Sequence, residues 1–185
     1  MKKILHSLTI GFIFLTAFEN FAYAQNSMKL AVPVEKNLMP SAYNLAILMN
    51  PDLAGTYLLS RNEINTRAMR DFLDRFDKVD NALWFLASDG GFEAYFIQDG
   101  YGDRVVYNKK GGWIQSLIMY GENKLPLDIR RQVRSVYFDF NIFLVEEVQT
   151  HEGVEYVVYL EDKLKYLLVK VDKEGAMNIL QDMDK

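Results

Sequence analysis

Reactive side chains are scarce in this chain: it has no cysteine, and its two histidines are His6 and His151. Thiol nucleophiles, thiolate zinc sites and iron–sulfur ligation are therefore excluded. His151 stands two residues before Gly153, in a pattern that reads as a hairpin tip. An acid–base histidine has to be held and oriented by a third group, and an exposed tip is a poor place for that, so His151 is read as a surface residue. Carboxylates occur as close pairs: Glu146 and Glu147, Glu161 and Asp162, Asp182 and Asp184. Neighbours along a strand point to opposite faces, so Glu146 and Glu147 cannot work as one acid–base pair. One of them must face the helix-covered side, where an arginine of the second helix is its expected partner. The stretch Asp99-Gly100-Tyr101-Gly102-Asp103 lacks the ligand spacing of a calcium loop. Gly90-Gly91 and Gly111-Gly112 lack the spacing and the strand-to-helix context of a phosphate loop and read as hairpin glycines. No catalytic residue, metal site or cofactor is assigned.

Aromatic side chains are the more informative set, at 14% of the chain. Most aromatics in a domain fill its core. Those on a sheet face that no helix covers can serve as binding anchors, since tyrosine, tryptophan and arginine dominate interface hot spots. Trp84, Tyr95, Arg104, Trp113, Tyr120, Tyr156 and Tyr159 form the candidate binding set. Arg130, Arg131 and Arg134 read as the solvated side of a helix.

The elements that would position these residues follow from periodicity. Asn65 is a good N-cap, and Met69, Phe72, Leu73 and Phe76 then recur at i, i+3, i+4 and i+7 on one helical face. Four strand-like runs follow: 82–87, 92–97, 104–108 and 113–120. They are separated by Asp89-Gly90-Gly91, Asp99-Gly100 and Lys110-Gly111-Gly112. Pro126 suits the first turn of a second helix, with Ile129, Val133, Val136 and Tyr137 as its apolar stripe. Four more runs follow, at 142–150, 156–160, 166–171 and 177–181. Short turns imply antiparallel meanders. The order helix-ββββ thus occurs twice with a period of about 60 residues. The expected fold class is α+β: two tandem repeats, 64–121 and 122–185, each one helix packed on its own four-stranded antiparallel meander sheet.

Residues 1–24 read as a secretory leader: Lys2 and Lys3, an apolar run from Leu5 to Phe18, and Ala22-Tyr23-Ala24 before the cut. The run is too short and too interrupted for a membrane span, so none is expected after the leader is removed. Residues 25–63, punctuated by Pro33, Pro40 and Pro51, read as a partly ordered N-terminal extension. Within it Ser41–Asn50 fits a short helix or a buried strand equally. The chain's net charge is −4. The leader holds Lys2, Lys3 and Glu19, a net +1, which leaves the remainder at −5. That sign disfavours nucleic acid as a partner. The expected location is periplasmic or secreted.

Three stretches, together with Trp84, carry a family resemblance: Thr66–Phe72, Arg104–Gly111, and Leu125-Pro126 through Tyr137–Ile142 with Val145–Val148. They resemble the small exported PepSY-like proteins of Bacteroidetes-type bacteria, which are grouped with the β-lactamase-inhibitor-like fold. The resemblance spans roughly residues 64–183. It implies tandem helix-plus-sheet repeats, a concave sheet surface that clasps an enzyme, and no catalytic motif. The expected function is that of a non-catalytic module binding an unknown protein or peptide, a hydrolase among the candidates. The alternatives are a small-ligand or metal-binding envelope protein and, below that, a carboxylate-dependent hydrolase.

Overall fold

A computed structural model describes residues 58–185. The leader expected over 1–24, and the extension expected over 25–63 as far as residue 57, lie outside the described residues. The elements in chain order are α1 (Thr66–Arg75), β1 (Leu83–Leu86), β2 (Phe92–Gln98), β3 (Tyr101–Tyr107), β4 (Trp113–Tyr120), a 3-10 turn (Glu122–Lys124), α2 (Leu127–Val136), β5 (Asn141–Thr150), β6 (Gly153–Glu161), β7 (Lys165–Val171) and β8 (Met177–Asp184).

Local chemistry explains these boundaries. The Asn65 side chain accepts the Arg67 backbone N–H at 2.9 Å and caps α1. Pro126 sits at the N-cap of α2 rather than inside its first turn, and no side chain caps that helix. Asp99 and Gly100 both have positive φ, 52° and 84°, and Gln98 pairs directly with Tyr101. This is the two-residue turn whose twist matches that of the flanking strands. Gly111, at φ 72°, lies against the helix cap: a Cβ there would collide with the Asn65 carboxamide and meet the Ala68 amide nitrogen at 2.9 Å. The β3–β4 turn and the start of α1 are thereby tied together.

The expected pair of separate four-stranded sheets is incorrect. All eight strands form one antiparallel sheet in sequential order, β1 to β8. β4 and β5 join its two halves through a six-residue register, from Gln115↔Thr150 to Tyr120↔Val145. Two four-stranded sheets would each leave a row of backbone N–H and C=O groups open along β4 and β5. Pairing those two edges satisfies both. The link from β4 to β5 is long enough to hold α2, and α2 packs back onto the sheet it came from.

Both helices lie on the same face. Ala68 and Phe72 of α1 cluster with Trp84, Phe92, Ala94, Phe96, Val105 and Tyr107. Val133 of α2 clusters with Tyr120, Val145, Val158, Leu160 and Val169. Register connects the two sets: Val105 opposes Ser116, and Tyr120, which alternates with Ser116 along β4 (residues 116, 118 and 120 share a face), opposes Val145. The helices are therefore not covers of separate sheets. They are neighbours on one surface of a single sheet, and the opposite surface carries no helix among the described residues.

α2 is held in place by Arg134. Its Nε and Nη2 donate to the two carboxylate oxygens of Glu122 at 2.9 and 2.6 Å, and its Nη1 donates to the Phe140 carbonyl. This fork joins the helix to the 3-10 turn before it and the loop after it, so Arg134 has a structural task that the sequence pattern did not reveal.

Candidate binding face

The helix-free face is defined by alternation. Leu83 opposes Tyr95 and Trp84 opposes Ala94, so Tyr95 and Trp84 point in opposite directions. Tyr95 in turn opposes Arg104. On β5, Glu147 shares the helix side with Val145, and Glu146 points the other way. On β6, Tyr159 clusters with Leu144, Val157 and Leu168 on the helix-free side.

This alternation divides the sequence-derived candidates. Tyr95, Arg104 and Tyr159 come together on the helix-free face. Trp84, Trp113, Tyr120 and Tyr156 lie on the helix side. Trp84 packs edge-on to Phe72 at 5.2 Å and stacks on Tyr107 at 5.7 Å. The Trp113 indole N–H donates to Ser116 Oγ at 2.9 Å. The Arg75 guanidinium stands 4.1 Å over the Trp113 ring, and His151 meets the ring edge-on at 4.8 Å. Tyr120 donates to Glu147 Oε2 at 2.6 Å, and Tyr156 packs against the core under α2. His151 is exposed, with Nε2 3.1 Å from the Trp113 carbonyl.

At the centre of the helix-free face is a buried polar cluster that the sequence reading missed. Arg104 Nη2 donates to Glu93 Oε1 at 2.8 Å, and the Tyr95 hydroxyl donates to Glu93 Oε2 at 2.7 Å. The Arg104 guanidinium also lies 5.6 Å from the Tyr95 ring centre. Nearby, the Tyr159 hydroxyl donates to Glu146 Oε2 at 3.1 Å. Tyr95 is 1% exposed and Glu146 2%. Burial pushes the Glu146 carboxyl above its ordinary range, against the opposing pull of the Tyr159 hydrogen bond and the Arg104 charge. Both Glu93 oxygens are engaged, which ties this side chain into the network.

One signal for the cluster was present in the sequence. The Asp99-Gly100 turn sets the β2–β3 register, which places Arg104 opposite Tyr95 and diagonal to Glu93, within reach of a long side chain. The expected ion pair between a glutamate of β5 and an arginine of α2 does not form. Glu147, on the helix side, accepts from Tyr120 and from Gln149 Nε2 at 2.7 Å, while Arg134 is taken by Glu122. The 3-10 turn places Glu122 against Arg134, and that placement cannot be read from residue spacing.

Two solved structures share this arrangement of helices and sheet. A BLIP-like protein from Bacteroides fragilis superposes with a TM-score of 0.52 at 18% identity, over 72% of this chain and 91% of that one. A DUF2874 family protein from Bacteroides ovatus gives 0.50 at 15% identity, over 64% of this chain and 86% of that one. This is a BLIP-like fold. No protein-family model matches the chain, and no curated protein matches it. In this BLIP-like fold the described residues include no group of three His, Cys, Asp or Glu side chains placed to hold a metal, and no described helix is long and apolar enough to cross a membrane.

A third buried carboxylate makes stability depend on pH. Asp103 is 1% exposed, and its Oδ1 accepts the Met119 N–H at 2.9 Å. Burial raises its pKa to about 7, opposed by that hydrogen bond and by Lys124 and aided by Asp99. The unfolded chain titrates this group near 4. Between those values the folded protein binds the extra proton, so stability falls as pH rises from about 4 to about 7 and is flat above. Asp103→Asn keeps the acceptor and removes the titration, but its amide must also lose water. The variant is expected to be on the order of 2 kcal/mol more stable than the parent at pH 8, with the gap closing toward pH 4. Urea unfolding across that range measures it; a gap independent of pH would refute the assignment.

Proposed function

We propose that this protein is an exported, non-catalytic binding module that engages a protein or peptide through the helix-free face of its sheet and acts by occlusion. The observation that carries this reading is the packing of both helices on one surface, which leaves the other without a described helix, with half-buried Met119 and Tyr166 beside the buried network of Tyr95, Arg104 and Tyr159 around Glu93 and Glu146. Aromatic and arginine side chains held by a rigid sheet limit the ordering cost of binding and match the chemistry of interface hot spots. The likeness to a BLIP-like protein supports the same direction. The leader pattern of residues 1–24 supports export to the periplasm or beyond. The PepSY-like stretches in the sequence support a hydrolase, such as a peptidase, as the partner class.

The test is a crosslinked capture from the periplasm, followed by titration of any recovered hydrolase with the purified protein. Its activity is expected to fall to a plateau. Tyr166→Ala and Met119→Ala, both at half-buried positions on the helix-free side, are each expected to weaken binding by more than about 1 kcal/mol. Affinities that match the parent in both variants would remove this face as the binding site.

A further inference from the structure

The two outer edges of the sheet differ. That of β1 is engaged: Leu58 forms a bridge to Phe85, and the Leu59 N–H donates to the Trp84 carbonyl at 2.8 Å. β8 pairs with β7 along one side, and among the described residues no strand pairs with its other side. An edge of this kind offers a row of backbone N–H and C=O groups to another chain. Sheets commonly blunt it with lysine, proline or a bulge. β8 holds no lysine and no proline, and residues 177–181 are uncharged. Ile179 and Leu180 on this edge are 54% and 40% exposed.

The protection that is present is a bulge, and it selects among occupants. Val169 opposes Ile179 and Leu168 opposes Gln181, so Leu180 is the extra residue, with no partner on β7. A bulge bends its strand, and two stiff bent edges cannot follow one another over their whole length. A second copy of this chain is thereby disfavoured, whereas a flexible segment can follow the bend. Beyond the bulge the edge turns acidic. Asp182 and Asp184 are exposed and share a face. Lys165 Nζ donates to both Asp182 oxygens at 3.0 Å, while Asp184 has no ion pair among the described residues. Gln181 points to the other face, where its Oε1 is buried without a hydrogen-bond partner, a state that a donor on an added chain would relieve.

We propose that the outer edge of β8 takes up an extended segment of a partner protein as an added antiparallel strand, with apolar side chains beside Ile179 and Leu180 and a lysine or arginine opposite Asp184. Main-chain hydrogen bonds supply the affinity of such an addition, and the alternate side chains supply its selectivity. Antiparallel pairing continues the order of the sheet and is the more stable arrangement. This surface is distinct from the helix-free face and goes beyond the reading of that face.

The probe is a synthetic peptide of eight residues, the length of β8, blocked at both ends and labelled. It carries lysine at its first and third positions, with valine and threonine alternating after them. Fluorescence polarisation with the purified protein is expected to show saturable binding. Ile179→Lys together with Leu180→Lys is expected to weaken it about tenfold or more. Leu73→Lys, a similarly exposed position on α1, is expected to leave it unchanged. Asp184→Lys is expected to weaken the lysine peptide and to favour a version with glutamate in place of both lysines. N-methylation of alternate peptide residues tests the backbone: one set of positions is expected to abolish binding and the other to spare it, because only one edge of an added strand donates to β8. No saturable binding, equal loss in Leu73→Lys, or equal effects of the two methylated sets would overturn the proposal. Self-association of the protein that Ile179→Lys dissolves, seen by sedimentation without peptide, would overturn it as well by giving the edge to a second copy. The Met119→Ala and Tyr166→Ala titrations report on the helix-free face, so either surface can fail while the other stands.

Discussion

Arg104→Met is expected to lower the free energy of unfolding by about 3–5 kcal/mol. The loss comes from what the substitution leaves behind. Glu93 and Arg104 retain only 10% and 15% of their side-chain exposure, and Glu93 keeps only the Tyr95 hydroxyl when the guanidinium goes. An ionised carboxylate would then be buried with one neutral donor, and removing one member of a buried pair exacts the full desolvation penalty of the other. The double variant Arg104→Met with Glu93→Leu is expected to recover most of the loss, because no charge is then stranded. Urea unfolding of the parent, both single variants and the double variant measures the coupling. Additive single and double effects would show that the pair is not energetically joined. If the cluster is also what a partner recognises, the double variant separates the two roles: it restores stability without restoring affinity.

Phe72→Ala is expected to cost about 3–5 kcal/mol, and Leu73→Ala less than about 0.5 kcal/mol. The two residues are adjacent in a helix and similar in hydrophobicity, so the contrast isolates packing. Phe72 is 2% exposed and Leu73 44%. The Phe72 ring contacts Phe76, Trp84 and Phe96 at centroid distances of 5.2–5.4 Å, so truncation leaves a cavity lined by three large rings that cannot all move inward. Thermal or urea unfolding of the two variants checks this; comparable effects would mean that α1 is not seated by that ring. The helix is short, ten residues, and has little stability of its own, so its attachment depends on this side chain and on the Asn65 cap.

These two sites stand on opposite surfaces of one sheet and serve different purposes. The α1 side is an apolar interior whose aromatics are used for packing. The other surface mixes buried aromatics with a charge network, which is where recognition would need a defined pattern of charge. The placement of both helices on one surface creates that division.

Much of this architecture was legible from the residues alone. Alternation and glycine turns marked all eight strands within a few positions, and the Asn65 cap and the Phe72 stripe marked α1. These features depend on chemistry within a few residues of chain. The aromatic candidates show where that reach ends. Trp113 and Gln115 are two residues apart and would share a face in a regular strand. They point oppositely because the register shifts between Val106 and Tyr107, with Tyr107 opposing Trp113 and Val106 opposing Gln115. A bulge changes the parity of everything beyond it, and no residue in β4 announces it.

Local order of elements, turn geometry and the lack of thiol chemistry were thus written into the linear chain, because each arises from near neighbours. The union of β4 with β5, the seating of both helices on one surface, and the meeting of Glu93 with Arg104 and of Glu146 with Tyr159 were decided only in three dimensions. Each needs groups far apart in sequence to satisfy one another's hydrogen bonds and exclude water together. That demand belongs to the folded sheet and not to any segment of it.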